Sequence, residues 1–227
     1  MTLLNSKKLI IVGDSAFAEI AYEYFTYDSD YEVVAFSVEQ EFLNRDKLFG
    51  LPVTPFESLE KVYNPNEHQI FVATVYTQVN RLRSRLCFEA KQKGFELASY
   101  ISSRAFVWQN VQIGEHCFIF EGNVVQPFVQ LEDNVILWSG NHIGHHSFIH
   151  KNCFISSHVV ISGFVEIGEN CFLGVNSTIS NNVKIGKDCW IGPGIVITKD
   201  VPEGLVYRPA KIDPTKVSTL EFFKIKD

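Results

Sequence analysis

The fold is decided by a repeat that is clearest in residues 143–168, IGHHSFIHKNCFISSHVVISGFVEIG. An aliphatic residue returns there at every sixth position, and the same spacing meets only Val, Ile or Leu from residue 101 to residue 197. The seventeen residues are Ile101, Val107, Ile113, Ile119, Val125, Leu131, Leu137, Ile143, Ile149, Ile155, Ile161, Ile167, Leu173, Ile179, Ile185, Ile191 and Ile197. In an ordinary chain about a quarter of positions are aliphatic. A run of this length therefore indicates a repeat architecture.

The period of six residues fits neither an amphipathic helix nor an alternating strand. It suits short strands joined by tight turns, in which each strand points one aliphatic side chain towards a shared axis. Three such strands close a triangular coil of 18 residues, and glycines such as Gly144, Gly168 and Gly186 supply turn conformations that other residues resist. We predict stacked coils over residues 101–200, a separate domain at 1–100 and a C-terminal tail at 201–227.

Composition limits the classes of function. The chain has 227 residues, a formal net charge of -6 and no block of Lys or Arg. Nucleic acid and anionic lipid are poor candidates as partners, because both require a cationic surface. The apolar run near the start is too short for a signal peptide or a membrane span, so we expect a cytoplasmic protein.

Cysteine spacing follows the repeat. Cys153, Cys171 and Cys189 are 18 residues apart, Cys117 lies two such steps before Cys153, and the chain contains no CxxC pair. We interpret them as small residues that fill the core at successive coils, and we expect no metal site.

The first hundred residues alternate predicted strands with predicted helices. Strands are expected at residues 8–13, 31–37 and 69–75, and helices at 16–27 and 77–93. This order favours a small Rossmann-like α/β domain with a parallel sheet.

In such a domain, ligands bind at the carboxyl ends of the strands. The turn after the first strand, which contains Ser15, Ala16 and Phe17, would place a phosphate at a helix N-terminus, although the dinucleotide motif GxGxxG is absent. Glu39 follows the second strand and could accept a hydrogen bond from a ribose or a base. A domain that only packs is the alternative interpretation.

Five of the seven histidines are clustered, at His142, His145, His146, His150 and His158. Clustered imidazoles indicate chemistry, because a neutral imidazole is a suitable base near pH 7. We interpret His142 and His150 as surface or turn residues.

An α/β domain ahead of hexapeptide repeats resembles bacterial acetyltransferases that act on nucleotide-linked amino sugars, of the bacillosamine and perosamine N-acetyltransferase type. It also resembles sialic acid O-acyltransferases. The motifs that carry the resemblance are IGHHSFIH at 143–150, SGFVEIG at 162–168, FLGVNS at 172–177, IGPG at 191–194 and PAK at 209–211.

The resemblance implies a left-handed parallel β-helix and a homotrimer. It implies N-acetylation of a UDP-, dTDP- or GDP-linked amino-deoxy sugar for a surface glycan such as lipopolysaccharide, with acetyl-CoA as co-substrate. It places the catalytic base at His145, with His146 beside it. The implied acetyl-CoA contacts are Phe154, Gly163, Val175 and Pro193, and the implied nucleotide-sugar contacts are Ser15, Ala16, Phe17 and Glu39.

Two departures from the family pattern affect this interpretation. The acidic residue that usually follows the base is His146, and the family's SGHG turn reads Ser15-Ala16-Phe17-Ala18. A carboxylate would raise the basicity of the neighbouring imidazole, whereas a charged second imidazole would lower it. Either another residue orients His145 or His146 relays its proton, and the changed turn leaves the sugar and the nucleotide open.

One outward face of the predicted coils is strongly apolar. Residues just before the inward aliphatic positions point outwards, and on this face they are Phe118, Ile136, Phe154, Phe172 and Trp190. Because exposed aromatic stripes usually mark contact surfaces, we predict that this face lies against another subunit. Cover by the C-terminal tail is the alternative.

Three other functions fit parts of the sequence. Acetylation of a sugar hydroxyl would use the same base. A zinc enzyme of the γ-carbonic anhydrase type would use His145 and His150, which have the right spacing, with His116 as the only upstream candidate in the repeat region. A non-catalytic scaffold would retain the fold alone.

Overall fold

The structure is a computed structural model, and it describes residues 7–225. The α/β domain comes first, with a sheet in the order β3-β4-β2-β1-β5-β6 that is parallel except for the β3–β4 hairpin. Its elements are β1 (Lys7–Val12), α1 (Ala16–Tyr27), β2 (Tyr31–Val38), β3 (Lys47–Leu48), β4 (Leu51–Pro55), α2 (Leu59–Val62), β5 (His68–Val72), α3 (Arg81–Gln92) and β6 (Glu96–Leu97).

The predicted elements of this domain are present, with one clear difference at α3. The prediction began this helix at residue 77, but Gln78, Val79 and Asn80 have positive φ angles of 53°, 50° and 66°. The side-chain amide of Asn80 donates to the backbone oxygens of Asn170 (3.4 Å) and Cys171 (3.2 Å) in the repeat domain. The chain thus leaves the helical conformation where it contacts the second domain.

The repeat domain is a left-handed parallel β-helix, as expected. Its first face contains the strands Tyr100–Ile101, Phe118–Ile119, Ile136–Leu137, Phe154–Ile155, Phe172–Leu173, Trp190–Ile191 and Val206–Tyr207. The second face contains Phe106–Val107, Val124–Val125, His142–Ile143, Val160–Ile161, Thr178–Ile179 and Val196–Ile197. The third face contains Gln112–Ile113, Gln130–Leu131, Phe148–Ile149, Glu166–Ile167 and Lys184–Ile185.

The aliphatic ladder forms the core of this prism. From Ile119 to Ile197 every sixth residue is buried, and the thiols of Cys117, Cys153 and Cys171 contact backbone oxygens inside it. Burial of one such aliphatic side chain stabilises the fold by roughly 1.5–3 kcal/mol. Because the same burial is repeated at every sixth residue, the summed stabilisation fixes the register of the coils. The predicted tail is not wholly outside the prism, because Val206–Tyr207 pairs with Trp190–Ile191.

The three corners of the prism matter for the site. The first corner joins the first and second faces, the second corner joins the second and third faces, and the third corner joins the third face to the first face of the next coil. Left-handed residues occupy all three corners, for example His158, His146 and Asn134.

The apolar first face is covered by the chain's own α/β domain, so the prediction of a subunit contact there was wrong. Phe118 packs against Phe17 and Phe25 of α1 and against Phe71 of β5, with ring centroids 5.0–5.7 Å apart. Further along the stripe, Tyr76 covers Phe154 and Phe172, at 5.3 and 4.4 Å. The C-terminal tail is not the cover either.

After the last strand, residues 208–225 are exposed and include α4 (Thr219–Phe223), whose N-terminus is capped by Ser218. Among residues 7–225, no helix combines the length and apolar character that crossing a bilayer requires.

Candidate functional site

The predicted base lies at the second corner of the prism. His145 and His146 are the two turn residues between the strands His142–Ile143 and Phe148–Ile149, and both are exposed. The backbone N–H of His145 donates to Oε1 of Gln126 (3.0 Å), and its carbonyl accepts from Phe164 N–H (3.0 Å). Bonds to both neighbouring coils therefore hold the backbone that carries the imidazole.

The two imidazoles contact each other directly. Their Nδ1 atoms are 3.1 Å apart and the ring planes are nearly perpendicular, at 88°. The ring of His146 is stacked between those of Phe128 (4.6 Å) and Phe164 (4.8 Å), one coil to either side. The sequence reasoning missed Phe128 and Phe164, although their spacing of 18 residues from His146 was a sufficient signal.

Gly163 makes room for the His145 ring. A Cβ atom at position 163 would lie 2.7 Å from Cε1 and 2.9 Å from Nε2 of His145. Its N–H already donates to Oδ1 of Asn181 (2.9 Å). Gly163 thus lies beside the predicted base and leaves room for its ring, while the expected contact of Gly163 with acetyl-CoA stays a prediction.

The other expected acetyl-CoA contacts are divided between two places. Val175 and Pro193 are exposed turn residues of the first corner, on adjacent coils. Phe154 is only 4% exposed and packs against Tyr76, Trp138 and Phe172. This position leaves almost no side-chain surface of Phe154 for the coenzyme.

The expected phosphate turn lies near the first corner as well. Ser15 and Ala16 are exposed at the start of α1, whereas Phe17 is 2% exposed and packs 5.2 Å from Trp138. Trp138 immediately precedes the first-corner residues Ser139 and Gly140. The side chain of Phe17 is therefore a packing residue that fixes the turn on the prism, and only the exposed turn itself can meet a ligand.

Glu39 is exposed to solvent in part and has a partner that the sequence analysis did not identify. Its two carboxylate oxygens accept from Nη1 and Nη2 of Arg85 in α3, both at 3.0 Å. These hydrogen bonds, together with one to Glu89, raise the pKa of Arg85. The pair places a fixed guanidinium beside the carboxyl end of β2.

The histidines proposed for the zinc alternative do not converge. His116 is completely buried, accepts from Val72 N–H (2.8 Å) and lies 2.8 Å from Oδ1 of Asn134. His150 lies between Glu132 and Glu166, at 3.2 Å from each. Throughout residues 7–225, no three His, Cys, Asp or Glu side chains are grouped as metal ligands.

Comparisons with known proteins agree with this architecture. Residues 146–181 match the family described as bacterial transferase hexapeptide (six repeats), and residues 164–199 match the hexapeptide repeat of succinyl-transferase. A search of curated proteins gave no match.

Solved structures provide matches over nearly the whole chain. PerB from Caulobacter crescentus, in complex with CoA and GDP-perosamine, is 26% identical, with a TM-score of 0.80 over 91% of this chain and 97% of that one. The acetyltransferase domain of PglB from Neisseria gonorrhoeae is 24% identical, with a TM-score of 0.80 over 89% and 97% of the two chains. WeeI from Acinetobacter baumannii is 20% identical, with a TM-score of 0.66 over 87% and 94%. The predicted fold class is confirmed.

Proposed function

We propose that this chain, a nucleotide-sugar acetyltransferase of the hexapeptide-repeat superfamily, transfers the acetyl group of acetyl-CoA to the amino group of a nucleotide-linked amino-deoxy sugar. The observation that carries the proposal is the exposed imidazole of His145. It is held at a turn by bonds to two coils, lies over Gly163 and contacts a second imidazole. PerB, the 26% identical match, was solved with CoA and a GDP-linked sugar.

His145 first accepts and then returns the one proton that moves in the reaction. The sugar amine attacks the thioester carbonyl, a C–N bond forms, and Nε2 of His145 takes the proton that the nitrogen loses. The C–S bond then breaks, and the leaving thiolate of CoA recovers that proton from the imidazolium. The base is therefore restored at the end of each cycle, and the amide and the free thiol are the only products.

The nucleotide end of the substrate is proposed to bind at the turn before α1. The exposed residues Ser15 and Ala16 lie at the N-terminus of this 12-residue helix, where backbone N–H groups and the helix dipole favour phosphate. Arg45, paired at 3.3 Å with Asp14, and Arg85, paired with Glu39, flank the carboxyl ends of β1 and β2. Both guanidiniums can donate hydrogen bonds to a diphosphate, whereas the carboxylate of Glu39 would repel it.

The two halves of the proposed site lie at different corners of one chain. The phosphate turn, Val175 and Pro193 lie at the first corner, whereas His145 and Gly163 lie at the second. The second face separates them, and its outward residues include the exposed apolar side chains Phe106, Val160 and Val196. We propose that the second face packs against another copy in a homotrimer, so that the first corner of one protomer meets the second corner of its neighbour.

Replacement of the base tests the function. H145A should lower kcat by about 10²- to 10⁴-fold, the usual contribution of a general base, when thiol release is followed with acetyl-CoA and a panel of amino-sugar nucleotides. H150N is the matched control, because His150 lies on the third face, and it should keep kcat within about twofold. Unchanged activity of H145A would remove His145 from the mechanism.

A mixing experiment tests the shared site. H145A damages only the second-corner half, and V175D damages only the first-corner half. Trimers assembled from both variants contain sites built from two intact halves, so the co-expressed mixture should be more active than either variant alone. If every site were contained within one chain, the mixture would show, per chain, only the mean of the two residual activities.

A further inference from the structure

The second corner carries an unusual run of aromatic rings. Phe128, His146 and Phe164 stack on three successive coils and all have left-handed backbones, with φ of 64°, 60° and 58°. A residue other than Gly or Asn destabilises the fold by on the order of 1–2 kcal/mol in this conformation, so Asn or Gly is preferred. Asn182, on the next coil of the same corner, follows that preference with φ of 62°. Phe128 and Phe164 are therefore retained against a backbone cost and are about half exposed, which indicates a role other than core packing.

The stack determines which way His146 faces. The Phe128 and Phe164 planes lie within 28° and 19° of the imidazole plane, so the ring is held between two flat surfaces. In that position its Nδ1 is 3.1 Å from Nδ1 of His145. The imidazole of His145 is perpendicular to both His146 and Phe164, at 88° and 87°.

One hydrogen lies between the two Nδ1 atoms, because 3.1 Å is a hydrogen-bond distance and a neutral imidazole carries a single N–H. If His146 donates it, the hydrogen of His145 is on Nε2, and that nitrogen has no lone pair for the substrate. If His145 donates it, Nε2 of His145 is free to act as a base. Only the second arrangement supports the transfer of a proton from the amine.

We propose that His146 is a positioning residue which, held between Phe128 and Phe164, accepts the Nδ1–H of His145 and so keeps Nε2 of His145 unprotonated. This inference rests on the proposed role of His145 as base. When the pair binds one additional proton, Nε2 of His145 carries a hydrogen in every arrangement that keeps the bond between the rings. The pair must therefore be neutral for turnover.

The residues that the structure shows against the two rings are uncharged. From the neighbouring coils, Phe128 and Phe164 contact the ring of His146, Gly163 and Phe164 contact the ring of His145, and none of these residues carries a charge. These neighbours therefore supply no charge that favours one tautomer over the other.

Two substitutions of His146 distinguish a role in orienting the His145 ring from a role in maintaining the fold. Asn tolerates the left-handed conformation, and its amide oxygen can accept the Nδ1–H of His145. H146A should lower kcat by about 10- to 100-fold with little change in the KM for acetyl-CoA, as expected for loss of an orienting partner, whereas H146N should recover most of kcat.

The tautomer itself can be observed. Long-range ¹H–¹⁵N spectra of the ¹⁵N-histidine-labelled protein above pH 8 should show His145 protonated on Nδ1, and in H146A the same ring should be protonated mainly on Nε2. H145A identifies the signals. An H146A variant with unchanged kcat would overturn the inference and leave the base assignment intact, whereas a wild-type His145 protonated on Nε2 would overturn both the inference and the choice of Nε2 as the proton acceptor. Unchanged kcat in H145A would instead remove His145 as the base, the role on which the inference rests.

The aromatic clamp has its own test. The double variant F128N/F164N relieves two left-handed phenylalanines and should keep or raise the melting temperature, yet lower kcat by about tenfold and shift His145 towards the Nε2–H form. F49N is the matched control, since Phe49 is a half-exposed phenylalanine with φ of 50° in the hairpin of the α/β domain. Unchanged kcat and tautomer in F128N/F164N would show that the stack has no positioning role.

Discussion

The Nε–H of Arg83 in α3 donates a 2.8 Å hydrogen bond to Oδ1 of Asn134 at the third corner of the prism. Arg83 is completely buried, and its other hydrogen-bond acceptors are backbone oxygens on both domains and Oδ1 of Asn80. No carboxylate is among these partners. Burial lowers the pKa of Arg83 to about 10, so it stays charged at neutral pH. The guanidinium therefore joins the α/β domain to two adjacent coils.

Removal of this guanidinium should loosen the domain contact. In R83M, the acceptors that Arg83 satisfies would stay buried without donors, at a cost of about 3 kcal/mol. For a chain of this size that corresponds to a fall in melting temperature of roughly 6–12 °C. R81A is the control, because Arg81 makes an exposed ion pair with Asp188, and it should shift the melting temperature by about 2 °C or less. Equal shifts in the two variants would contradict the role of Arg83.

The buried imidazole of His116 should make stability depend on pH. Burial, with the nearby Arg83 charge, lowers its pKa from 6.5 to about 3. Below pH 6.5 the unfolded chain binds a proton that the folded chain does not, so stability is complete above that pH and falls as the pH decreases towards 3. The slope approaches about 1.4 kcal/mol per pH unit.

Between about pH 6.5 and 5 the carboxylates of the unfolded chain contribute little, and the difference between the wild type and H116Q isolates His116 from the other histidines. Urea unfolding at half-unit steps should show the decline in the wild type and a flatter curve in H116Q. The variant should also be less stable at pH 8, because Val72 N–H loses its present 2.8 Å partner. A wild-type curve that is flat over this interval would exclude a neutral, buried His116.

The absence of a side chain at position 163 should matter for catalysis more than for folding. In G163A, the new methyl carbon would lie only 2.7 Å from Cε1 of His145, so the imidazole would have to move. The displaced base should lower kcat by about tenfold or more. The backbone there needs no positive φ, so the melting temperature should change little. Adding G163A to H145A should cause no further loss of kcat, because the displaced ring is already absent. An additive loss would place the effect elsewhere.

Charges on the second face should prevent assembly. Val160 and Val196 are 41% and 63% exposed in the single chain, and V160D/V196D would bury two carboxylates if the face packs against another copy. Light scattering should then report monomers with little activity. Q130D, which alters an exposed residue of the third face, should remain trimeric and active. A trimeric V160D/V196D variant would place the subunit contact on another surface.

The prism follows from local sequence alone, because each aliphatic residue at the sixth position gains the same burial and each turn follows the same spacing. Ile143 and Ile161 specify their coils without reference to any distant residue. The position of His145 in a turn follows from the same count. The 18-residue register also brings Phe128 and Phe164 to His146.

Only the tertiary structure decided what covers the apolar stripe and which site residues are accessible. Phe154 and Phe172 had to be buried, but the hydrophobic effect has no direction, so the sequence pattern could not distinguish a second subunit from the chain's own Tyr76. Phe17 was expected to contact the ligand because of its position in the turn, and only the structure shows that it packs against Trp138 instead. The 3.1 Å contact between His145 and His146 depends on ring orientations set by neighbouring coils, and no spacing in the sequence contains them.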